Sequence, residues 1–357
     1  MLIGIPKETK IGEGRVALIP EHVSLLSSEG HLVCVERDAG KKAGFTNTQY
    51  KKAGAVISED VYDCDMIVRV KEPSIATIRD RQIIMGYLHI EKGQNMTLLK
   101  SLLDKRVTSY AFEEIRDSSG SRKVNLGVEA GIVGMYEGLR LYGKIMKNQG
   151  KKSQFAGLKP IRRYPSAKAI YRALEQANLH NGVKVYILGK GRVSHGAQKV
   201  LAYSKIDANV LYRKETSNIE KYLGGADIIV NAVDWYPDEP RIITKNMLRL
   251  MKGSSLIVDI SCDENGAIES CIPTSWRKPY YTFNGVTHYC VDNLPTAIPK
   301  DSSVHLSTMI IDHVLRVANG EELDSGLMTK EGIFEFAKRQ GVLEKFEEEL
   351  LVVEESI

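Results

Sequence analysis

The sequence predicts an α/β protein built from two Rossmann-like, doubly wound domains, and three observations carry that expectation. The chain has 357 residues, well past the length at which one hydrophobic core stops growing. Short β-rich runs alternate with helical patterns in two separate series. Within the second series a Gly-rich turn, "GKGRVSHGA", follows an apolar strand and opens a helix.

In chain order, "LIGIP", "HLVCVE", "DMIVRV", "QIIMGYL" and "VTSYAF" read as strands, with helical spacing in "PEHVSLLSSEG", "NTQYKKAGA" and "NMTLLKSLLDKR" between them. Ligands of such sheets gather beyond the carboxyl ends of the strands. The stretch 129–146 is helical by its apolar spacing and leads into the polar run "KNQGKKSQ", as a connecting helix before a boundary would. The second series runs from "VKVYILG" through "ANVLYR", "ADIIVNAV" and "SSLIVDIS" to "YTFNGVTHYCV". After it, "SSVHLSTMIIDHVLRVANG" is helical, with Gly320 as a C′ cap, and an acidic tail "EKFEEELLVVEESI" ends the chain. The expected division is a discontinuous substrate domain, 1–138 with 294–357, around a nucleotide domain, 139–293, and two domains imply a cleft.

Composition narrows the function. Apolar residues make up 43% and charged residues 26%, and 49 basic against 45 acidic side chains leave +4, an ordinary globular balance. Lys and Arg are scattered among Glu and Asp, so no nucleic-acid face is expected. No stretch reaches the roughly 18 apolar residues that cross a bilayer, and a cytosolic location is expected. The five cysteines contain no close CxxC pair, so neither a disulfide framework nor a metal site is expected.

In the turn, Gly189 permits the tight bend and Gly191 lets the N–H groups of Arg192, Val193 and Ser194 approach a pyrophosphate at the positive helix end. Ser194 stands where the usual fingerprint has its third glycine, which predicts a longer or differently packed turn. The next strand ends "VLYRKE". An acid there would hold the NAD ribose, whereas Arg213 and Lys214 suit the 2′-phosphate of NADP. A pair of cations on a solvated loop is the other reading.

Three polar groups stand out in the first series: Arg15 in "IGEGRVALIP", Lys71 after "DMIVRV" and His89 in "MGYLHIE". Together they offer a carboxylate clamp, a cation for a carbonyl and a group that exchanges protons near neutral pH. Taken singly, they read as a loop cation, a solvated strand end and a core histidine. The cations around Arg162, Arg163, Tyr164 and Lys168 fit the 2′-phosphate, a second substrate or solvent equally, and Asp292 and Asn293 fit a turn as well as a ligand contact.

"GIPKE", "GEGRVALIP", "RVKEP", "YLH", "IVDISCDENGAIE" and "HYCVDNLPTAIPK", in this order, resemble the alanine dehydrogenase and pyridine nucleotide transhydrogenase family over nearly the whole chain. The resemblance implies two Rossmann-like domains with the cofactor domain inserted, a homo-oligomer, and an oxidoreductase acting on CH–NH bonds. It further implies that Arg15 and Lys71 bind a 2-oxo acid, that His89 is the acid/base, and that Asp263 lies beside nicotinamide and substrate. The turn "GKGRVSHGA", the "YPSAKA" stretch and the basic "YRK" are similar to the branch that makes secondary amines, N5-(carboxyethyl)ornithine synthase and saccharopine dehydrogenase. The expectation is therefore NADPH-dependent condensation of pyruvate with the amine of a basic amino acid, ornithine or else lysine. The alternatives are alanine dehydrogenase, saccharopine dehydrogenase with lysine and 2-oxoglutarate, and a non-catalytic NADP-binding sensor.

Overall fold

The computed structural model of the protein describes residues 1–91, 93, 95–177, 182–236, 239–342 and 346. The acidic tail lies outside them apart from Phe346. The chain divides into two compact units, Met1–Asn125 with Pro299–Ile357, and Leu126–Ile298.

The first unit opens with β1 (Leu2–Ile5), α1 (Pro20–Ser28), β2 (Leu32–Glu36), α2 (Asn47–Lys52), β3 (Val56–Ser58), β4 (Met66–Val68), β5 (Ile83–Gly86), α3 (Met96–Asp104) and β6 (Thr108–Ala111). The second holds α4 (Gly127–Asn148), α5 (Ala167–Gln176), β7 (Val185–Leu188), α6 (Arg192–Tyr203), β8 (Ala208–Leu211), α7 (Arg213–Thr216), α8 (Glu220–Leu223), β9 (Ile228–Asn231), β10 (Leu256–Asp259), β11 (Tyr280–Phe283) and β12 (Val286–Tyr289). The chain then returns to the first unit with α9 (Pro299–Ala318), β13 (Leu327–Lys330), β14 (Ile333–Phe334) and α10 (Glu335–Gln340).

The first sheet has the order β14-β13-β6-β5-β4-β1-β2-β3. Its six strands from β6 to the edge strand β3 are parallel, and the order reverses between β1 and β4. The central residues of β1, β4 and β5 are buried on both faces, which is why they read as continuous apolar runs. Strand β13 closes the sheet antiparallel to β6, and the buried hydroxyls of Ser109 and Thr329 bond across at 2.7 Å. Helix α9 is apolar on one side, yet Ser302, Ser303 and Ser307 are fully buried in it. The reason is local: Ser303 Oγ accepts the Val16 N–H and Ser307 Oγ the Ile19 N–H, both at 3.0 Å. Together with Tyr50 Oη, which donates to the Leu18 carbonyl at 2.8 Å, they fasten the loop that bears Arg15.

The second sheet runs β11-β12-β10-β9-β7-β8, parallel except for β11, and its order reverses between β7 and β9. "YTFNGVTHYCV" carries the parallel series to its last strand, β12, and adds β11 as an antiparallel hairpin partner, because Asn284 and Gly285 both take positive φ, 46° and 77°, as a two-residue hairpin loop demands. One sequence expectation is corrected here: "VLYRKE" is a strand only to Leu211, and Arg213 and Lys214 open the short helix α7. The role of the missing third glycine is also explained. A Cβ on Gly196 would lie 2.0 Å from the Val128 carbonyl oxygen, and one on Gly131 would lie 2.0 Å from that of Val193. Helices α6 and α4 therefore meet backbone to backbone, a close packing that Ser194 leaves undisturbed while it bonds Gln198 at 3.1 Å.

Candidate active site

In the first unit the polar groups follow the carboxyl ends of parallel strands. Glu8, three residues beyond β1, is buried and reaches the segment after β4: it accepts the Val70 N–H at 2.6 Å, the Lys71 N–H at 3.3 Å and Arg69 Nη2 at 3.1 Å. This ties together the two strands between which the order reverses, where open α/β sheets place ligands. Burial raises the Glu8 carboxyl above its usual range in spite of Arg69.

Arg15 is only 4% exposed. Its Nε and Nη2 form a two-pronged pair with Glu13, at 2.8 and 2.5 Å, and Glu13 Oε1 also accepts the backbone N–H groups of Gly14 and Arg15. Burial opposes ionisation of Glu13, but the hydrogen bonds and charge of Arg15 outweigh it and hold the carboxyl at about 2. Lys71, half-buried, feels the charges of Arg15 and Lys10; burial first, and then those two cations, lowers its pKa.

His89 follows β5 with φ of 53°. Tyr87 stacks on its ring at 6.1 Å between centroids and 15° between planes, and the Tyr87 hydroxyl acts electrostatically on Arg15. On the other side His89 Nδ1 lies 3.6 Å from Glu113 Oε1, which accepts the His89 and Leu88 N–H groups at 2.6 and 3.0 Å. Burial lifts the Glu113 carboxyl to about 7. The first unit thus brings Arg15, Lys71 and His89 to one side of its sheet and adds Glu8, Glu13, Tyr87 and Glu113, which sequence reasoning passed over. The signal for Glu8 was its place directly after the first strand. Nothing marked Glu113, because acids after strands are common.

In the second unit Gly189 has φ of 92°, and a Cβ there would lie 2.8 Å from Val233 Cγ1 and 3.0 Å from the Ala232 carbonyl oxygen, both beyond β9. Gly191 is the N-cap of α6 and has open space around it. Beside this turn lies a cavity of about 560 Å³ bounded by Lys190, Tyr212, Arg213, Asp234, Trp235 and Glu239. A residue-free approach to a helix N-terminus, next to a part-apolar cavity at the strand-order reversal, fits a pyridine nucleotide. Arg192 is exposed, Val193 half-buried and Ser194 buried. Arg213 pairs with Glu239 at 2.8 Å while its side chain stays 90% exposed, and Lys214 is exposed. Glu215, the nearest acid, turns back to accept the Tyr212 N–H at 3.0 Å. Asp263 is exposed on the loop after β10, packed against Gly266, where a Cβ would come within 2.5 Å of the aspartate Cβ.

Two groups of possible metal ligands converge within 4.8 Å, His89 with Glu91 and Glu113, and Asp259 with Cys271 and Cys290. The second is assembled by the fold from cysteines whose spacing carries no metal signature. Burial raises Asp259 to about 6, against hydrogen bonds from Cys271, Cys262 and Asn231.

The model of the alanine dehydrogenase/PNT N-terminal domain matches residues 4–133, and that of the C-terminal domain matches 168–336. The chain belongs to the alanine dehydrogenase/PNT family. Membership makes the protein an NAD(P)-dependent oxidoreductase acting on CH–NH bonds, with two Rossmann-like domains. Alanine dehydrogenase 2 of Staphylococcus aureus strain Mu50 is 30% identical over 397 aligned positions, covering 100% of both chains, and that of strain USA300 is 29% identical with the same coverage. A solved L-alanine dehydrogenase superposes with a TM-score of 0.79 at 26% identity, over 97% of this chain and 100% of that one. A transhydrogenase from Sinorhizobium meliloti shares the fold, with a TM-score of 0.68 at 20% identity over 94% and 98% of the two chains.

These full-length likenesses overturn the expectation of a secondary-amine-forming enzyme of the N5-(carboxyethyl)ornithine synthase kind, which has no specific support among them. The physical reason is plain. Two of the features behind that expectation, the glycine turn and the basic "YRK", lie around the nucleotide cavity, where they carry no information about the amine; the third, "YPSAKA", leads into helix α5, with Ser166 as its N-cap. Among the described residues of this family member, no helix is long and apolar enough to cross a membrane.

Proposed function

We propose that the protein is an NADP(H)-preferring alanine dehydrogenase, which interconverts pyruvate, ammonium, NADPH and a proton with alanine, water and NADP⁺. The observation that carries the reading is the grouping of Arg15, Lys71, Tyr87 and His89 on the ligand side of the first sheet, in a chain alignable end to end with alanine dehydrogenases.

Arg15, fixed by Glu13, is assigned the carboxylate of the oxo acid, since a guanidinium locked by two hydrogen bonds loses little freedom on binding. Lys71 is assigned the carbonyl oxygen, where a cation favours the negative charge that develops as the carbon is attacked. His89 Nδ1 faces Glu113, so proton exchange with the oxygen lost as water is assigned to Nε2. Asp263 is assigned the carboxylate beside the nicotinamide. The bound nicotinamide supplies the hydride to the imine carbon and takes it back in the reverse direction. The NADP preference is supported by the absence of an acid at 212–214 and by Glu215 being engaged with the backbone; Lys190, Arg213 and Arg241 line the cavity together with Glu220, Asp234 and Glu239, and the two arginines pair with Glu239 and Glu269.

The test is loss of nicotinamide absorbance with each reduced cofactor, a series of 2-oxo acids, and ammonium. Turnover with pyruvate and ammonium, faster with NADPH than with NADH at low cofactor concentration, is expected. No turnover with ammonium for any pair of oxo acid and cofactor would overturn the proposal.

A further inference from the structure

Pro160, Ile161 and Arg162 form one wall of a second, smaller cavity inside the second unit, of about 190 Å³. Glu137 and Arg140 of α4, Trp276, and Tyr289 at the end of β12 supply other walls. The Arg162 guanidinium lies over the Trp276 ring, 4.4 Å from its centroid, and among the described residues it has no ion pair. Tyr289 is 2% exposed, and its hydroxyl and Trp276 Nε1 are both buried without a hydrogen-bond partner. Buried polar groups are ordinarily paired, so two orphans on one small cavity call for a ligand or solvent that accepts.

Among the described residues the one carboxylate on the cavity wall is already engaged: Glu137 Oε1 accepts the Ile161 N–H at 2.7 Å and Oε2 accepts Arg140 Nε at 2.6 Å. Two guanidinium groups against one carboxylate leave a single positive charge, that of Arg162, which is exposed. Donors without acceptors, a charge of +1, and a volume below that of most cofactor pockets define what fits.

We propose that this cavity binds a small monocarboxylate of two or three carbons, its oxygens accepting from Tyr289 Oη, Trp276 Nε1 and Arg162. A dianion such as sulfate would meet the Glu137 charge and is excluded. The site shares no residue with those assigned to catalysis and does not depend on that assignment.

The chain has two tryptophans, so Trp235→Phe leaves Trp276 as the sole indole reporter. In that background, titration with acetate and then propionate at constant ionic strength is expected to change the fluorescence saturably, while sodium chloride and sulfate do not. Adding Tyr289→Phe, which removes one oxygen, should weaken the acetate affinity by about tenfold, the effect of a lost hydrogen bond to a charged group. Arg162→Met should abolish binding, and Lys71→Met should leave the titration unchanged. A response to acetate that never saturates or equals that of chloride would overturn the proposal, as would unchanged titration in both Tyr289→Phe and Arg162→Met, or loss of the signal in Lys71→Met.

Discussion

Replacing Glu113 with Gln is expected to flatten one segment of the stability-versus-pH curve. The carboxyl is 6% exposed. Burial raises it first, with the charge of Glu91 adding to that effect; the N–H groups of His89 and Leu88 pull the other way, and the balance stands at about 7 against the usual 4.5. The folded protein therefore holds this proton more tightly than the unfolded chain does. Where the folded state binds more protons, stability falls as pH rises, so this group costs nothing below 4.5 and its full cost appears above about 7. Between about pH 5 and about pH 8 the linkage integral for such a shift is roughly 2–3 kcal/mol. Gln keeps an oxygen for the two backbone donors and cannot ionise. Urea unfolding followed by circular dichroism, on both proteins across that range, should show the Gln variant gaining roughly 2–3 kcal/mol relative to wild type as pH rises. Two curves that stay parallel throughout would show that Glu113 ionises at an ordinary pKa and that its burial has no such effect.

Other outcomes follow from the same geometry. Gly189→Ala forces a Cβ into Val233 and the Ala232 carbonyl at positive φ and should cost roughly 1–3 kcal/mol of stability, whereas Gly191→Ala, with open space around it, should melt like wild type and lose dinucleotide affinity; thermal melts with cofactor titration separate the two. Exchanging Arg213 and Lys214 for Ala should weaken NADPH about 10- to 100-fold, as loss of one or two charge-assisted hydrogen bonds implies, with NADH nearly unaffected; equal losses by fluorescence titration would return both cations to solvent. His89→Asn, a residue that tolerates the left-handed backbone there, should lower kcat by about 10²- to 10⁴-fold, while wild-type kcat would reject the acid/base assignment.

How much of this was legible in the sequence differs by element. Long alternating runs such as "DMIVRV" and "VKVYILG" announce buried parallel strands, and β4 and β7 form there. Strand β3 is three residues with no fully buried position, and β13 and β14 are four and two residues long, so their patterns are too short to stand out. The glycine turn was legible because it needs both a strand before it and a helix after it. The Gly131–Gly196 crossing was not, since it depends on two helices 65 positions apart in the sequence meeting in space. In the site, cations and histidine after strands could be picked out by residue type. Their partners Glu13 and Glu113 could not, because what distinguishes a buried acid from a solvated one is tertiary packing, and only the fold supplies it.

The charge balance of the first unit leads to a last test. Glu8 with Arg69 and Glu13 with Arg15 are buried pairs of opposite sign, and Lys10 pairs with Glu72 at 2.9 Å. Lys71 lies among them without an ion pair among the described residues, its pKa depressed by burial and by the charges of Arg15 and Lys10. A monoanionic oxo acid therefore meets a pocket whose surplus is one positive charge, and its arrival changes the field at Lys71. A carboxylate nearby stabilises the ammonium form and raises its pKa. At alkaline pH, where part of Lys71 has lost its proton, binding of pyruvate must then draw a proton from solution. Calorimetric titration in buffers of different ionisation enthalpy should show net proton uptake that grows with pH in wild type and is absent in Lys71→Met. Proton release on binding, or the same uptake in both proteins, would mean that the oxo acid is bound away from Lys71.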